Sequence, residues 1–136
     1  MGRHLEFYWL CAAKINSASP RIWPKKIFQR FRPLLIFAKP PVKKVVHRWF
    51  AELIECGRDD KKHHVWGKST DEVRHLLEIF TQPGQLVVDP FVGGGATPIA
   101  CEALNRRFIA TELDPGVAAA ARARVAEFRN SQSKDH

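Results

Sequence analysis

The fold is decided by the stretch Val87-Val88-Asp89-Pro90-Phe91-Val92-Gly93-Gly94-Gly95-Ala96-Thr97. An apolar run ends in an acid, a glycine-rich loop follows, and an apolar-periodic segment opens at Thr97-Pro98. This order is typical of a strand, a tight loop and the start of a helix. Successive glycines leave no Cβ in the way, so the backbone can turn sharply and approach a ligand closely. Thr97 can cap the helix with Pro98 at its first position, and the free amides there suit an anionic group.

A second strand and a carboxylate follow the glycine loop. Residues 97–105 predict a helix, residues 108–111 predict a strand, and Asp114-Pro115 predicts the capped start of a further helix. Strand, helix, strand and helix in this order predict a βαβ unit with parallel strands. Glu112 stands at the end of the second strand, where a carboxylate can accept hydrogen bonds from a ribose diol. These residues favour a nucleoside-containing cofactor, and a tight turn that binds nothing is the alternative.

The residues of the loop also discriminate between cofactors. A dinucleotide fingerprint counted from Gly93 and Gly95 would need a third glycine where Pro98 stands, so the fingerprint fails. A phosphate-binding loop of the Gly-Lys-Ser/Thr kind needs a lysine, and none follows these glycines. Asp89, directly before the loop, would repel phosphates. It suits a sulfonium or an ammonium group, and S-adenosylmethionine carries both.

The segment before this unit predicts another helix. The helix begins near Ser69 and ends before the turn signal Gln82-Pro83-Gly84. Its one apolar face comprises Val73, Leu76, Leu77 and Phe80. Two adjacent histidines precede it at 63–64. They do not predict a metal site, because sequence neighbours do not chelate without further ligands and no third ligand has metal spacing.

Positive charge is concentrated in the front half of the chain. The formal net charge is +8; residues 1–50 hold 11 Lys and Arg against one acid, and residues 51–136 hold 11 against 13. Residues 14–33 interleave cations with aromatic side chains, a pattern that can bind a nucleic-acid backbone and stack on an unpaired base. A solvated surface is the alternative. The candidate DNA-binding residues are Arg21, Lys25, Lys26, Arg30 and Arg32.

The remaining front segments are predicted less sharply. Residues 5–13 predict a buried strand or a short helix. Residues 46–56 predict a short helix or a strand. Prolines indicate that 14–33 is mostly loop, with a short helix at 25–31. An apolar run bounded by prolines predicts a buried strand at 34–38.

Composition excludes several classes of protein. No apolar run approaches the ~20 residues that span a bilayer, so no membrane partner is expected. Three widely separated cysteines predict neither a disulfide framework nor a zinc knuckle. They fit a reducing cytoplasm best.

Two segments resemble the cofactor-binding half of the DNA amino-methyltransferases, which methylate N6 of adenine or N4 of cytosine. They are Asp89-Pro90-Phe91-Val92-Gly93-Gly94-Gly95-Ala96-Thr97 and Arg106-Arg107-Phe108-Ile109-Ala110-Thr111-Glu112-Leu113-Asp114. Residues 64–88 resemble the element that precedes this motif, although the family usually has Lys-Pro where this chain has Lys68-Ser69. The resemblance spans 63–129 and is looser over 5–50.

The resemblance implies an α/β, Rossmann-like S-adenosylmethionine-dependent methyltransferase fold that is incomplete at its N-terminus. It divides the chain into basic strands and loops over 1–62, a cofactor-binding region over 63–129 and a disordered tail over 130–136. Glu112 would hold the ribose, and the 63–69 segment would help to bind the methionine end. The cofactor-binding residues it implies are His64, Lys68, Ser69, Asp89, Phe91, Gly93, Gly95, Thr97 and Glu112.

The catalytic loop of this family is absent from the sequence. In the subgroup with this order of motifs, the loop reads Asp/Asn/Ser-Pro-Pro-aromatic and precedes the cofactor loop; its aromatic ring stacks on a flipped base. The one Pro-Pro, in Lys39-Pro40-Pro41-Val42, has neither the polar residue nor the aromatic. We therefore expect no catalytic residue here. We expect a truncated reading frame, a split subunit or a relic, with little or no turnover by this chain alone.

The leading interpretation is a site-specific DNA methyltransferase of bacterial or phage type that uses S-adenosylmethionine on double-stranded DNA in the cytoplasm. The expected protein partner is a second chain that supplies the catalytic half, or a second copy in a homodimer. The alternative is a non-catalytic, basic DNA-binding or partner subunit. A nicotinamide oxidoreductase is disfavoured because Pro98 breaks the fingerprint.

Overall fold

The computed structural model describes residues 4–14, 21–22, 26–28, 30–41, 46, 49–55 and 70–133. Within them the strands are β1 (Glu6–Lys14), β2 (Arg21–Ile22), β3 (Ile27–Phe28), β4 (Phe31–Ala38), β5 (Leu53–Ile54), β6 (Leu86–Asp89) and β7 (Arg107–Ala110). The helices are α1 (Thr70–Phe80), α2 (Ala96–Ala103) and α3 (Pro115–Gln132). The strands form three sheets, ordered β4-β1-β5, β2-β3 and β6-β7. No helix in these ranges is both long and apolar enough to cross a membrane.

The predicted βαβ unit is present as β6, α2 and β7. The two strands pair in parallel, with Val87 opposite Phe108 and Asp89 opposite Ala110. The carboxyl ends of both strands therefore lie at the same edge of the sheet. The loop that follows Asp89 and the carboxylate of Glu112 both belong to that edge.

The core lies between the inner face of this sheet and the helices. Leu77 of α1 packs with Ala100 and Cys101 of α2, and Val87 and Phe108 of the strands pack against them. The predicted apolar face of α1 is confirmed at Leu77, but it is wider than the sequence indicated. The most deeply buried residues of α1 include Ile79 and the charged Glu72, which the predicted stripe omitted.

The first sheet resolves one ambiguity and corrects one boundary. Residues 5–13 form a strand, β1, which pairs antiparallel with β4. β4 begins at Phe31, three residues before the predicted start at Leu34, and it includes Pro33. An edge strand tolerates a proline because one side of its backbone has no ladder partner, and β4 is an edge strand.

Two further predictions are wrong. The short helix predicted at 25–31 is absent: β2 and β3 pair antiparallel there, and Lys26 adopts a left-handed φ of 54° before β3. The tail predicted to be disordered from 130 is helical as far as Gln132, where the N–H of Ser133 donates to the carbonyl of Arg129 at 3.2 Å. Because the side chain of Arg129 also bonds Glu102, this end of α3 is tied to α2.

Candidate functional site

The glycine loop and Glu112 meet directly. The N–H of Gly93 donates to Oε2 of Glu112 at 3.0 Å. The other carboxylate oxygen accepts from the N–H groups of Leu113 at 2.9 Å and Asp114 at 3.1 Å. The sequence-based prediction that the loop and this carboxylate share one edge of the sheet is therefore confirmed.

These backbone donors set the charge of the carboxylate. The N–H of Asp114 and then that of Gly93 are the main causes that lower the pKa of Glu112 below its ordinary value of 4.5, although partial desolvation and the Asp114 charge oppose them. Glu112 is therefore ionised at neutral pH. An ionised carboxylate only accepts hydrogen bonds, as recognition of hydroxyl groups requires.

The start of α2 differs from the prediction. Thr97 was predicted to cap the helix, but α2 begins at Ala96 and its N-cap is Gly95, which has no side chain to cap with and adopts a left-handed φ of 81°. Pro98 is the third residue of the helix rather than the first. It is still tolerated, because a first-turn N–H has no intrahelical partner to lose.

This uncapped start leaves backbone donors without partners. Within residues 70–133, the N–H groups of Gly94, Ala96 and Thr97 make no hydrogen bond. Unpaired amides at a helix N-terminus, together with the helix dipole, favour an anionic group. The loop therefore offers donors beside an acceptor, Glu112.

The packing of α3 explains why position 95 is a glycine, and the sequence did not reveal this. A Cβ on Gly95 would lie 3.3 Å from the Cβ of Ala121, so the glycine permits α3 to approach the start of α2 closely. Gly93 also has a positive φ, 49°, but an added Cβ would meet only its own loop. The structure thus gives Gly95 a role in helix packing, and its predicted role in cofactor binding stays a prediction.

Apolar side chains flank the carboxylates at this edge. Phe91 and Leu113, which follow the two strands, are 87% and 97% exposed. Asp89 uses Oδ1 to accept from the N–H of Phe91 at 3.0 Å. Exposed apolar groups beside carboxylates can contact a base and its ribose together.

A cavity of about 470 Å³ lies between β7, α2 and α3. Phe108, Ala110 and Glu112 line it from the strand side, and Ala118 and Ala121 line it from α3. Its volume is in the range of small-molecule sites. Glu112 therefore borders both the glycine loop and a cavity.

Arg124 also contacts this site, and the sequence analysis missed it. Its Nη1 donates to the carbonyl of Gly94 at 2.8 Å, and its Nη2 donates to Oγ1 of Thr70 at 3.3 Å. The sequence carries no signal for it: Arg124 lies three residues after Ala121 on the same face of the helix, but the approach of Ala121 to Gly95 is visible only in the structure.

The predicted DNA-binding residues are only partly described. The side chains of Arg21 and Lys25 lie outside the described residues, and those of Lys26 and Arg30 are exposed. Arg32 forms an ion pair with Glu72, which is only 2% exposed. Arg32 thus anchors β4 to α1, and we leave it out of the DNA-contacting set.

The other residues that could bind a cofactor, bind a metal or act as a nucleophile form no second site among the described residues. His64, Lys68 and Ser69 lie outside the described residues. Among the described side chains, no group of three His, Cys, Asp or Glu could hold a metal ion. Burial raises the pKa of Cys101 to about 11, so its thiol is protonated near neutral pH and is not a nucleophile.

Known proteins match both the sequence and the fold. The family model for N6 and N4 methyltransferases, described as DNA methylase, matches residues 16–123. The type II methyltransferase M.XycI of Xanthomonas campestris pv. cyanopsidis is 34% identical over 126 residues, covering 79% of this chain and 41% of that protein. The type II methyltransferase M.HindIII of Haemophilus influenzae is 39% identical over 59 residues, covering 43% of this chain and 19% of that protein.

Two crystal structures are similar in architecture. The M1.HpyAVI–SAM complex has a TM-score of 0.74 and 26% identity, covering 89% of this chain and 63% of that one. The cytosine-N4-specific PvuII DNA methyltransferase has a TM-score of 0.70 and 18% identity, covering 93% of this chain and 57% of that one, and it supports the fold alone. The chain spans less than half the length of these two curated relatives. Because the family model matches most of the chain, the protein belongs to the DNA methylase family and has its α/β, Rossmann-like fold.

Proposed function

We propose that this chain forms the S-adenosylmethionine site of a DNA amino-methyltransferase acting on adenine N6 or cytosine N4. The observation that carries the proposal is the contact between the N–H of Gly93 and the carboxylate of Glu112. It gathers a glycine loop, a helix N-terminus and an ionised acceptor at the carboxyl ends of two parallel strands. That edge is where nucleoside ligands bind in sheets of this kind.

The polar groups at the edge suit the methionine end of the cofactor. Its carboxylate fits the unpaired amides of Gly94, Ala96 and Thr97. Its ammonium and sulfonium groups fit the carboxylate of Asp89, which has Oδ1 engaged by the loop. His64, Lys68 and Ser69 complete the methionine end in this proposal, on the strength of the family resemblance.

The nucleoside end suits the residues around β7. Glu112 accepts from the ribose diol, and the exposed Phe91 and Leu113 contact the adenine. A carboxylate offers about four acceptor positions. Three are already taken by backbone N–H groups, so a diol must displace at least one of them. The N–H of Gly93 is the simplest to release, because it alone comes from a different strand end.

The chemistry divides between this site and a second one. S-adenosylmethionine supplies an electrophilic methyl group, and the residues of this chain bind and orient its carrier. The residues that hold the target amine are the family's Pro-Pro-aromatic loop, which the sequence does not contain. We propose that a second polypeptide provides them, docked on apolar sheet faces that are exposed in this structure.

Calorimetry with S-adenosylhomocysteine tests the cofactor site. Replacing Glu112 by Ala removes a charged acceptor, so affinity should fall about tenfold or more. The matched control is Glu127→Ala, which removes an exposed carboxylate from α3 and should bind like the wild type. Equal affinities of wild type and Glu112→Ala would remove Glu112 from the site.

DNA binding is a separate proposal that the charge distribution favours. The basic front half would contact phosphates through Arg21, Lys25, Lys26 and Arg30, and its affinity would then fall steeply as salt rises. A gel-shift series at increasing salt measures this dependence. An affinity for DNA that does not change with salt concentration would exclude binding through phosphate contacts. Salt-dependent DNA binding with no cofactor binding would favour the alternative of a non-catalytic subunit.

We place the proposed methyltransferase function in the cytoplasm, where bacterial DNA is accessible.

A further inference from the structure

Arg124 bridges two parts of the molecule that are distant in sequence. It reaches from α3 to the carbonyl of Gly94 in the glycine loop and to the hydroxyl of Thr70 at the start of α1. Its guanidinium group is partly buried. Both of these acceptors are neutral, so the two contacts form a two-pronged hydrogen-bonding clamp.

The first prong fixes one peptide of the glycine loop. The peptide between Gly94 and Gly95 is planar, and its two polar groups are held from different sides. Its carbonyl accepts from Arg124, and its N–H donates to the carbonyl of Val92 at 3.0 Å. With both groups held, the plane of this peptide cannot rotate. It lies between the two peptides that carry the unpaired amides of Gly94 and Ala96, so holding it restricts how far those amides can turn.

The second prong holds the first residue of α1. Thr70 is the first residue of α1 and directly follows residues 63–69. The same turn of α1 is also held by the ion pair between Glu72 and Arg32 of β4. Two arginines from different elements therefore converge on the first turn of α1.

We propose that Arg124 is a positioning residue of the cofactor site, which holds the Gly94–Gly95 peptide and the first turn of α1 at one fixed separation. Its effect on ligand binding rests on the function proposed above, whereas its effect on the loop does not. A lysine cannot replace it, since a single ammonium on a flexible stem does not span two acceptors in fixed geometry.

Hydrogen exchange of the unliganded protein tests the clamp without any ligand. In Arg124→Met, the amides of Gly93 and Gly95 should exchange about tenfold faster, because one charge-assisted bond to the loop is lost. Arg129→Met is the matched control: it removes an arginine of the same helix that bonds Glu102 of α2, outside the glycine loop. It should leave exchange in the loop unchanged.

Two milder variants, Arg124→Lys and Thr70→Val, keep the test decisive if Arg124→Met does not fold. Arg124→Lys should give loop exchange intermediate between wild type and Arg124→Met. Thr70→Val should leave the Gly94 contact in place and accelerate exchange only in the first turn of α1. Loop exchange in Arg124→Lys equal to that of the wild type would overturn the proposal.

Calorimetry with S-adenosylhomocysteine then separates the two proposals. If the wild type binds, Arg124→Met should bind at least about tenfold more weakly. Arg107→Met, which removes an exposed arginine that bonds the carbonyl of Gly84 away from the cavity, should bind normally. Equal binding by Arg124→Met would overturn the positioning role. If the wild type does not bind, the proposed function fails, and the exchange experiment alone decides whether Arg124 holds the loop.

Discussion

Glu112 makes the glycine loop sensitive to acid because it accepts three backbone N–H groups. Its pKa is lower in the folded protein than its ordinary value of 4.5, mainly through the N–H of Asp114. The unfolded chain therefore binds this proton more readily. The carboxylate contributes its full stability above pH 4.5, and it loses that stability as the pH falls through the folded pKa.

We expect the wild type to exceed Glu112→Gln in stability at pH 7 and to lose that advantage below pH 4.5. Urea midpoints measured from pH 7 down to pH 3 would show the two curves converging. Glu127→Gln serves as the control for removal of a carboxylate from outside the loop. A constant difference between wild type and Glu112→Gln across the range would contradict the assigned bonds.

Gly95 and Gly84 form a natural pair for measuring packing, because both have a φ of 81°. Gly84→Ala adds only backbone strain, since nothing lies within 4 Å of its new Cβ, and should cost about 1–2 kcal/mol. Gly95→Ala adds the same strain and a clash with Ala121 of α3. Its free energy of unfolding should therefore fall further than that of Gly84→Ala. Urea titration of both variants measures the difference. Equal losses would mean that the approach of the helices is not tight.

At the scale of elements, a buried ion pair and a ring contact join the first sheet and the segment before β5 to α1. Glu72 of α1 is 2% exposed and pairs with Arg32 of β4. Phe50 and Phe80 add an edge-on ring contact between the segment before β5 and the end of α1, with centroids 5.6 Å apart. The polar pair thus supplements an apolar contact.

Arg32→Met should destabilise the protein by up to about 3 kcal/mol, because it leaves a buried carboxylate without its cation. The double variant Arg32→Met/Glu72→Met should recover most of this loss, since apolar replacements of a buried pair are often neutral. Urea unfolding of both variants measures the difference. A double variant no more stable than Arg32→Met would show that Glu72 has another role in the fold.

At the scale of the whole molecule, both larger sheets bury one face and expose the other. On β6 and β7, Val87 and Phe108 pack inward, whereas Val88 and Ile109 are 63% and 55% exposed. On β1 and β4, Cys11 and Ala13 are buried, and the other face is exposed and apolar. That exposed face comprises Phe7, Leu10, Phe31, Leu35 and Phe37. Apolar faces of this kind mark interaction surfaces or association liabilities.

We expect the chain to self-associate with rising concentration when purified alone. Leu35→Thr/Phe37→Thr should reduce this association, because it removes apolar area from the exposed face of β4. Trp49→Thr is the control: it removes a fully exposed aromatic from outside that sheet. Sedimentation velocity at several concentrations measures the outcome. A larger effect of Trp49→Thr would show that the sheet face is not the contact surface.

The sequence alone determined the βαβ unit and the meeting of its loop with Glu112. Both follow from local chemistry: an apolar run, consecutive glycines and a cap at Asp114, whose Oδ1 accepts from the N–H of Val117 as predicted. Parallel strands must then deliver their carboxyl ends to one edge. Residue types and their order carry all of this information.

The tertiary structure alone decided the partners of the charged and small residues. Gly95 lies close to Ala121, and Arg32 forms an ion pair with Glu72. Arg124 donates hydrogen bonds to Gly94 and Thr70. These contacts join segments at least 26 residues apart, and no local pattern encodes which distant group an arginine will reach. The sequence therefore predicted the elements of the site, and the packing of α1 and α3 determined which residues hold them in place.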